Sequence, residues 1–336
     1  MRRSRRAAVV ALCLTVTAVT LTALTVTAVS RTADAAPRAD GPVTFVALGD
    51  SWAAGTAAGG DPLVDPTGAD GTSCRRTTTS YPARVGPRLA PQAWTSRACA
   101  STTGGANTQF AALAPGVTRV AITVGADATG LGQLVGACAT GSTPAACEAA
   151  AARTGHALDS LGGALDASLA DIHRRAPAAR LVVTTYPRLS EGLPCAAGAA
   201  DATAARRVDA AVARLDGILT DRGRAAGAVV VDARPAFVAH SACARQPWIT
   251  PFAGPDPLRA GAPNADGQAA LARLVAAALE PAPAPAAHQA ATRSAPTPSA
   301  PTPSTPGPST PGQSTPGPSA AQRSALGRLL APLFGA

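Results

Sequence analysis

The sequence predicts an α/β domain built around a parallel sheet, and three observations support this fold class. Four short apolar runs lack strict alternation of apolar and polar residues, which is typical of strands buried on both faces. Between the later runs, leucine and valine recur at three- and four-residue spacing, as they do in amphipathic helices. Strands and helices alternate along the chain, and this order favours parallel strands joined by right-handed crossovers.

The first predicted strand covers residues 43–48, and Gly49-Asp50-Ser51 follows it directly. Further strands are expected at residues 119–124, 181–185 and 228–231. Three helices are indicated by apolar faces formed by Leu158, Leu161, Leu165, Leu169 and Ile172, by Val208, Val212, Leu215 and Leu219, and by Leu271, Leu274, Val275 and Leu279. Ligands of parallel sheets bind beyond the carboxyl ends of the strands, so Ser51 lies where a nucleophile would be exposed.

The chain divides by composition into four segments. Residues 1–36 have the arginine-rich start, the apolar stretch and the Ala33-Asp34-Ala35 site of an export signal, although an uncleaved membrane anchor is the alternative. Residues 37–280 form the globular domain, and residues 281–320 carry twelve prolines among Ala, Ser and Thr, as in an extended spacer. A short apolar segment, 321–336, ends the chain. We expect a secreted protein, with cell-wall association as an option and no membrane span after signal cleavage.

The net charge of +9 argues against nucleic-acid binding once its distribution is considered. Eight arginines lie in the signal, the spacer and the terminal segment, whereas residues 37–280 hold 21 Arg against 19 acidic residues. This balance leaves no basic surface for a phosphate backbone. The chain has only four histidines, which matters because many hydrolytic sites use one as a base.

Six cysteines follow the signal, namely Cys74, Cys99, Cys138, Cys147, Cys195 and Cys243. An even number in an exported chain favours three disulfides, for which fifteen connectivities exist. A zinc site is the competing interpretation, but the spacing contains no C-x-x-C pair. We therefore expect neither a metal site nor a cofactor.

Several motifs together resemble the SGNH (GDSL) hydrolase superfamily, above all its exported, three-disulfide actinobacterial esterases and lipases. The resemblance rests on Gly49-Asp50-Ser51 with Gly55, on residues 120–125, and on Pro263-Asn264-Ala265-Asp266-Gly267-Gln268. It implies a three-layer α/β/α flavodoxin-like domain with the disulfides Cys74–Cys99, Cys138–Cys147 and Cys195–Cys243. It also implies ester hydrolysis in which a serine attacks and a histidine removes its proton. In that scheme Ser51 is the nucleophile, and its amide is one oxyanion donor.

The remaining catalytic positions of the family are altered in this sequence. Ala262 stands where the family has the histidine, and Arg259 stands at the aspartate three residues earlier. Asp127 replaces the asparagine that donates to the oxyanion, and an ionised carboxylate can only accept hydrogen bonds. The glycine donor of the second block corresponds either to Ser101 or to Gly104.

These replacements lead to one main hypothesis and two alternatives. The main hypothesis is an exported esterase- or lipase-like protein that has lost most of its hydrolysis and keeps a cleft for an acyl ester, a lipid or a cell-envelope glycan. The first alternative is an active esterase with an unrecognised base, and His240 is the candidate, because His156 and His173 fall on a predicted helix and His288 falls in the spacer. The second alternative is a structural protein of the cell wall.

Overall fold

The computed structural model describes residues 43–64, 74–90, 93–100 and 106–280. Within them, five parallel strands form one sheet in the order β2-β1-β3-β4-β5. The strands are β1 (Phe45–Gly49), β2 (Trp94–Ser96), β3 (Arg119–Thr123), β4 (Arg180–Thr184) and β5 (Val229–Val231). The parallel α/β architecture predicted from the sequence is thus confirmed.

Seven α-helices and one short 3-10 helix (Pro235–Phe237) occur in the part of the chain that the structure describes. The helices are α1 (Ser51–Ala54), α2 (Tyr81–Leu89), α3 (Ala106–Phe110), α4 (Leu131–Ala137), α5 (Pro144–Arg175), α6 (Ala202–Ala225) and α7 (Ala265–Leu279). They pack in two groups, because α4, α5 and α6 contact one another whereas α2 contacts α7. With the sheet between helices, the domain has the three-layer α/β/α arrangement.

Four strands lie within two residues of the predicted runs, and the helices α5, α6 and α7 carry the predicted apolar faces. The members of the α5 face, from Leu158 to Ile172, are all almost completely buried. Strand β2 was not predicted, because Trp94-Thr95-Ser96 is short and contains two polar residues. The helices α2 and α4 were also missed, and Pro82, Pro87 and several glycines obscure their periodicity.

All three disulfides are present with the pairing that the resemblance implies. Cys74 is bonded to Cys99, Cys138 to Cys147, and Cys195 to Cys243. The first joins the segment before α2 to the loop after β2, and the second joins the end of α4 to the start of α5. In the described residues, no helix has the length and apolarity needed to cross a membrane, and no group of three or more His, Cys, Asp or Glu side chains is placed to hold a metal ion.

The export signal, the spacer and the terminal segment lie outside the described residues. The same is true of Ser101 and Gly104, the two candidates for the second-block oxyanion donor.

Candidate functional site

Ser51 begins α1 immediately beyond the carboxyl end of β1, at the edge where the sequence analysis places a site. Gly49 makes the turn possible, since its φ of 136° is unfavourable for other residues. A Cβ atom built on Gly49 would lie 2.1 Å from the carbonyl oxygen of Thr123. Gln109 fixes the same turn, because its side chain accepts a hydrogen bond from Gly49 N at 2.9 Å and donates one to Gly49 O at 3.0 Å.

Asp50 connects the loops that follow three strands. Its Oδ1 accepts a hydrogen bond from Trp52 N at 3.1 Å and so caps α1. Its Oδ2 accepts bonds from Ala126 N at 3.0 Å, after β3, and from the Tyr186 hydroxyl at 2.8 Å, after β4. Burial raises the pKa of Asp50 to about 6, although these donors act in the opposite direction. Asp50 is therefore a structural carboxyl with no exposed surface.

Asp127 binds both polar groups of Ser51. The Ser51 hydroxyl donates to Asp127 Oδ1 at 2.5 Å, and the Ser51 amide donates to Asp127 Oδ2 at 2.9 Å. The resemblance assigns this same amide to the oxyanion of an attacked ester. The Asp127 carboxyl thus occupies the place where an oxyanion would be bound, and it also holds the hydroxyl that would attack.

The pKa of Asp127 is raised to about 8, chiefly because the carboxyl is buried and secondly because of the neighbouring charge of Asp50. The hydrogen bonds from Ser51 and the charge of Arg75 lower it by less. Arg75 is itself paired with Asp256. Burial and the charge of Asp50 thus both favour the protonated form of the Asp127 carboxyl.

Neither Ala262, at the position of the family's base, nor Arg259, at the position of its aspartate, has a side chain that could accept the proton of Ser51. Ala262 is 1% exposed, and its carbonyl accepts a hydrogen bond from Thr250 N at 2.9 Å. Arg259 is exposed, and its amide donates to Asp256 O at 3.0 Å. Helix α7, which follows these two residues, is bonded to helix α1, because Gln268 Nε2 donates to Trp52 O at 2.8 Å. Helix α7, which begins three residues after Ala262, is therefore anchored to α1.

The His240 side chain contacts Trp248 and Gln246 rather than Ser51. Its ring stacks on Trp248 with a centroid distance of 3.6 Å and an interplanar angle of 4°. Its Nδ1 lies 2.8 Å from Gln246 O. His156 lies near Asp159, and His173 Nε2 lies 2.7 Å from Ala226 O. Among the described histidines, none is within hydrogen-bond distance of the Ser51 hydroxyl.

Tyr186 is the site residue that reasoning from residue patterns did not single out. Its hydroxyl donates to Asp50, and its ring packs edge-on against Trp52 with centroids 4.7 Å apart. Its backbone amide donates to Asp216 Oδ1 at 2.8 Å. The only signal in the sequence was its place in Tyr186-Pro187-Arg188, directly after a predicted strand.

A five-stranded parallel sheet, with a serine opening a helix beyond the first strand and loops from three strands meeting at it, places the domain in the three-layer α/β/α class. The comparisons with known proteins narrow this class. No protein-family model matches the chain. A lipase of Streptomyces rimosus is 29% identical over 252 residues, which cover 74% of this chain and 89% of the relative.

Two solved structures share the fold at recognisable sequence identity. The extracellular lipase of Streptomyces rimosus superimposes with a TM-score of 0.61 at 27% identity, covering 70% of this chain and 99% of that structure. Phospholipase A1 of Streptomyces albidoflavus gives a TM-score of 0.62 at 26% identity, covering 71% and 100%. In sequence and fold, this esterase- or lipase-like chain is thus similar to these Streptomyces lipases and phospholipase, and the similarity supports the resemblance to the SGNH hydrolase superfamily.

Proposed function

We propose that this protein binds acyl esters or lipids without hydrolysing them through the serine–histidine mechanism of its superfamily. The observation that carries the proposal is the pair of hydrogen bonds from the Ser51 amide and hydroxyl to Asp127. The serine keeps its place at the start of α1, whereas the groups that would activate it and stabilise the oxyanion are replaced.

The missing base has the larger effect on the rate. A serine hydroxyl is a weak nucleophile unless a neighbouring base removes its proton. Loss of the nucleophile or base of a serine triad lowers kcat by roughly 10⁶ in a well-studied protease. Ala262 supplies only a methyl group, and the pairing of His240 with Trp248 and Gln246 gives no support to that residue as a substitute.

The blocked oxyanion position adds a second loss. Removal of a single oxyanion donor lowers kcat by about 10²–10³. Here the Ser51 amide is occupied by a carboxyl oxygen at 2.9 Å, and an ester carbonyl would have to displace it. When Asp127 is ionised, its negative charge would also repel the oxyanion that forms during attack.

A largely apolar cavity on the segment that precedes α7 supports a lipid or acyl ligand. Its volume is about 400 Å³, within the range of small-molecule sites, and its lining residues are Thr250, Pro251, Ala253, Gly254, Pro255, Asp256, Arg259 and Ala260. Asp256 holds Arg75, and the charge of Arg75 acts on Asp127. The relatives are a lipase and a phospholipase A1, so an ester-linked acyl chain is the ligand class we assign.

The same proposal includes export and the division of the chain. Three disulfides are typical of proteins that fold in an oxidising compartment. We propose that residues 1–36 are a cleaved signal, that 37–280 are the ligand-binding domain, and that the spacer 281–320 with the segment 321–336 serves attachment at the cell envelope. Binding of a cell-envelope glycan in the cleft and a purely structural role in the wall remain alternatives to lipid binding.

One observation favours a second candidate function, a slow hydrolase in which Asp127 is the base. The Ser51 hydroxyl lies 2.5 Å from Asp127 Oδ1, and a pKa of about 8 would make the ionised carboxylate a competent proton acceptor. In that case Asp127→Asn abolishes activity. In the main proposal, Asp127→Asn leaves hydrolysis at the background rate or raises it.

The deciding experiment is hydrolysis of p-nitrophenyl esters by the full chain and five variants. We expect the wild type to match Ser51→Ala, because no base activates the serine. Combining Asp127→Asn, Arg259→Asp and Ala262→His should restore turnover by at least about 10²-fold, since the three changes rebuild the base and the oxyanion donor. A triple variant that carries Ala260→His in place of Ala262→His is the matched control.

Wild-type turnover at the level of ordinary esterases, abolished by Ser51→Ala, would contradict the proposal. If Asp127→Asn then removed the activity, Asp127 would be the base, and if His240→Ala removed it, His240 would be. Binding of a non-hydrolysable ether lipid, measured by calorimetry, tests whether the protein binds a lipid ligand as proposed. The triple variant must retain the disulfides and the wild-type circular dichroism spectrum for its rate to be informative.

A further inference from the structure

A second cavity lies beyond the carboxyl ends of β4 and β5, and its lining includes neither Ser51 nor Asp127. Its volume is about 290 Å³, and the segment after β4, one face of α6 and the segment after β5 form its walls. A neighbouring groove of about 510 Å³ shares three of its residues, Arg188, Glu191 and Arg234. This edge of a parallel sheet is where such folds bind ligands.

Most of the acidic side chains around this cavity already form hydrogen bonds or ion pairs within the chain. Asp209 accepts hydrogen bonds from the amides of Leu189, Ser190 and Gly192 and from the Ser190 hydroxyl. Glu191 accepts one from Ala239 N at 3.1 Å. Asp232 pairs with Arg234 at 2.8 Å. These three carboxylates therefore hold loops and one guanidinium in place.

Among the described residues, two guanidinium groups of the cavity have no carboxylate within ion-pair distance. Arg188 is exposed and makes neither a hydrogen bond nor an ion pair with any residue that the structure describes. Arg206 donates only to the Thr203 hydroxyl, at 3.1 Å. Together with Arg234 they line the same cavity, and guanidinium groups bind carboxylate and phosphate groups with paired hydrogen bonds.

Asp216 has a buried carboxyl oxygen, Oδ2, without a hydrogen-bond partner among the described residues. Its side chain is 2% exposed, and Oδ1 accepts the hydrogen bond from Tyr186 N. Oδ2 has no hydrogen-bond partner among the described residues, and the nearest cation, Arg234 Nε, is 3.9 Å away. Burial raises the pKa of this carboxyl to about 7. A buried oxygen of this kind normally has a partner, which points to a group brought in from outside the chain.

We propose that this cavity binds a small hydroxylated anion, with its phosphate or carboxylate group on Arg188, Arg206 and Arg234 and its hydroxyl group on Asp216 Oδ2. Asp216 and Arg234 both line the cavity, and Arg234 Nε lies 3.9 Å from Asp216 Oδ2, so one ligand can contact both side chains. The ligand can be a free phosphate ester or the headgroup of an anionic lipid, since both carry the same chemistry.

Calorimetric titration of the full chain with glycerol 3-phosphate tests this site. The variant carrying Arg188→Ala and Arg206→Ala should bind at least tenfold more weakly. Asp216→Asn should weaken the binding of glycerol 3-phosphate but not that of inorganic phosphate, which lacks the carbon-bound hydroxyl groups. Arg273→Ala, which removes an exposed arginine of α7 outside the cavity, is the matched control and should leave binding unchanged.

Vesicles that contain phosphatidylglycerol separate the two ligand sources. Vesicle binding lost in the Arg188→Ala, Arg206→Ala variant assigns a lipid headgroup, and binding of glycerol 3-phosphate alone assigns a free ester. The proposal fails if neither probe binds at millimolar concentration, or if Arg273→Ala weakens binding as much as the double variant does. Because Ser51→Ala should bind both probes normally, failure of the ester-binding proposal would leave this one intact.

Discussion

The surroundings of Asp127 raise the pKa of its carboxyl well above the value of a carboxyl in water. Burial and the nearby Asp50 both disfavour its charged form, so the pKa rises to about 8. In the acid form, Oδ2 can still accept from the Ser51 amide, and a proton on Oδ1 would reverse the direction of the hydrogen bond with the Ser51 hydroxyl. The serine hydroxyl would then be free to donate to a ligand carbonyl. In the ionised form, that donor is committed to Asp127.

The stability of the fold should therefore fall as the pH rises. In the unfolded chain Asp127 loses its proton near 3.8, and in the folded chain it keeps the proton up to about 8. Between these values the unfolded state binds fewer protons, so the free energy of unfolding decreases by as much as about 1.4 kcal/mol per pH unit for this group. Thermal unfolding followed across that pH range measures the slope.

Asp127→Asn should flatten this slope, because the substituted amide does not titrate. Asp221→Asn removes an exposed carboxyl of α6 and is the control that should leave the slope as it is. Asp50 and Asp216, with pKa values of about 6 and about 7, contribute in the same direction and remain in both variants. A slope that Asp127→Asn leaves unchanged would show that this carboxyl is ionised throughout.

At the level of elements, the connection between β1 and α1 sets the position of the serine. Gly49 has a left-handed φ and lies against the carbonyl of Thr123 on β3. Gln109 on α3 holds the same glycine from the other side with two hydrogen bonds. The turn is thus packed between a strand and a helix, which leaves no room for a side chain.

Gly49→Ala should destabilise the domain by about 3 kcal/mol or more, through backbone strain and the contact with Thr123. Gly217→Ala on α6 is the matched control, because nothing lies within 4 Å of the added methyl group. This control should be neutral or stabilising by up to about 1 kcal/mol, since alanine favours a helix more than glycine does. Urea unfolding of both variants measures the difference, and equal effects would refute the role of the turn.

At the level of the whole molecule, the three disulfides close loops of very different length. Cys195 and Cys243 are 48 residues apart, whereas Cys138 and Cys147 are 9 apart. The loop-entropy relation gives a stabilisation of about 4 kcal/mol for the longer loop and about 3 kcal/mol for the shorter one. Replacing each pair by serine and measuring unfolding in denaturant should reproduce this order. The reverse order would mean that native packing around Cys138–Cys147 outweighs chain entropy.

The sequence alone predicts most of the sheet, because β1, β3, β4 and β5 are buried apolar runs with a recognisable composition. It does not predict β2, whose three residues belong to the sheet only through pairing with β1. For the site, the position of Ser51 follows from the strand that precedes it. The contact with Asp127 joins residues 76 positions apart, and the side-chain geometry that decides its chemistry arises only when the loops meet.

Asp50 also gives the Gly49-Asp50-Ser51 motif a role in folding. Its carboxyl caps α1 and ties together the loops after β1, β3 and β4, and Gly49 is required by the backbone. Two of the three residues in Gly49-Asp50-Ser51 are thus explained by folding alone. When genomes are surveyed for enzymes, this tripeptide therefore indicates the scaffold and does not by itself identify an esterase. The residue at the position of Ala262 is the better criterion for such a census.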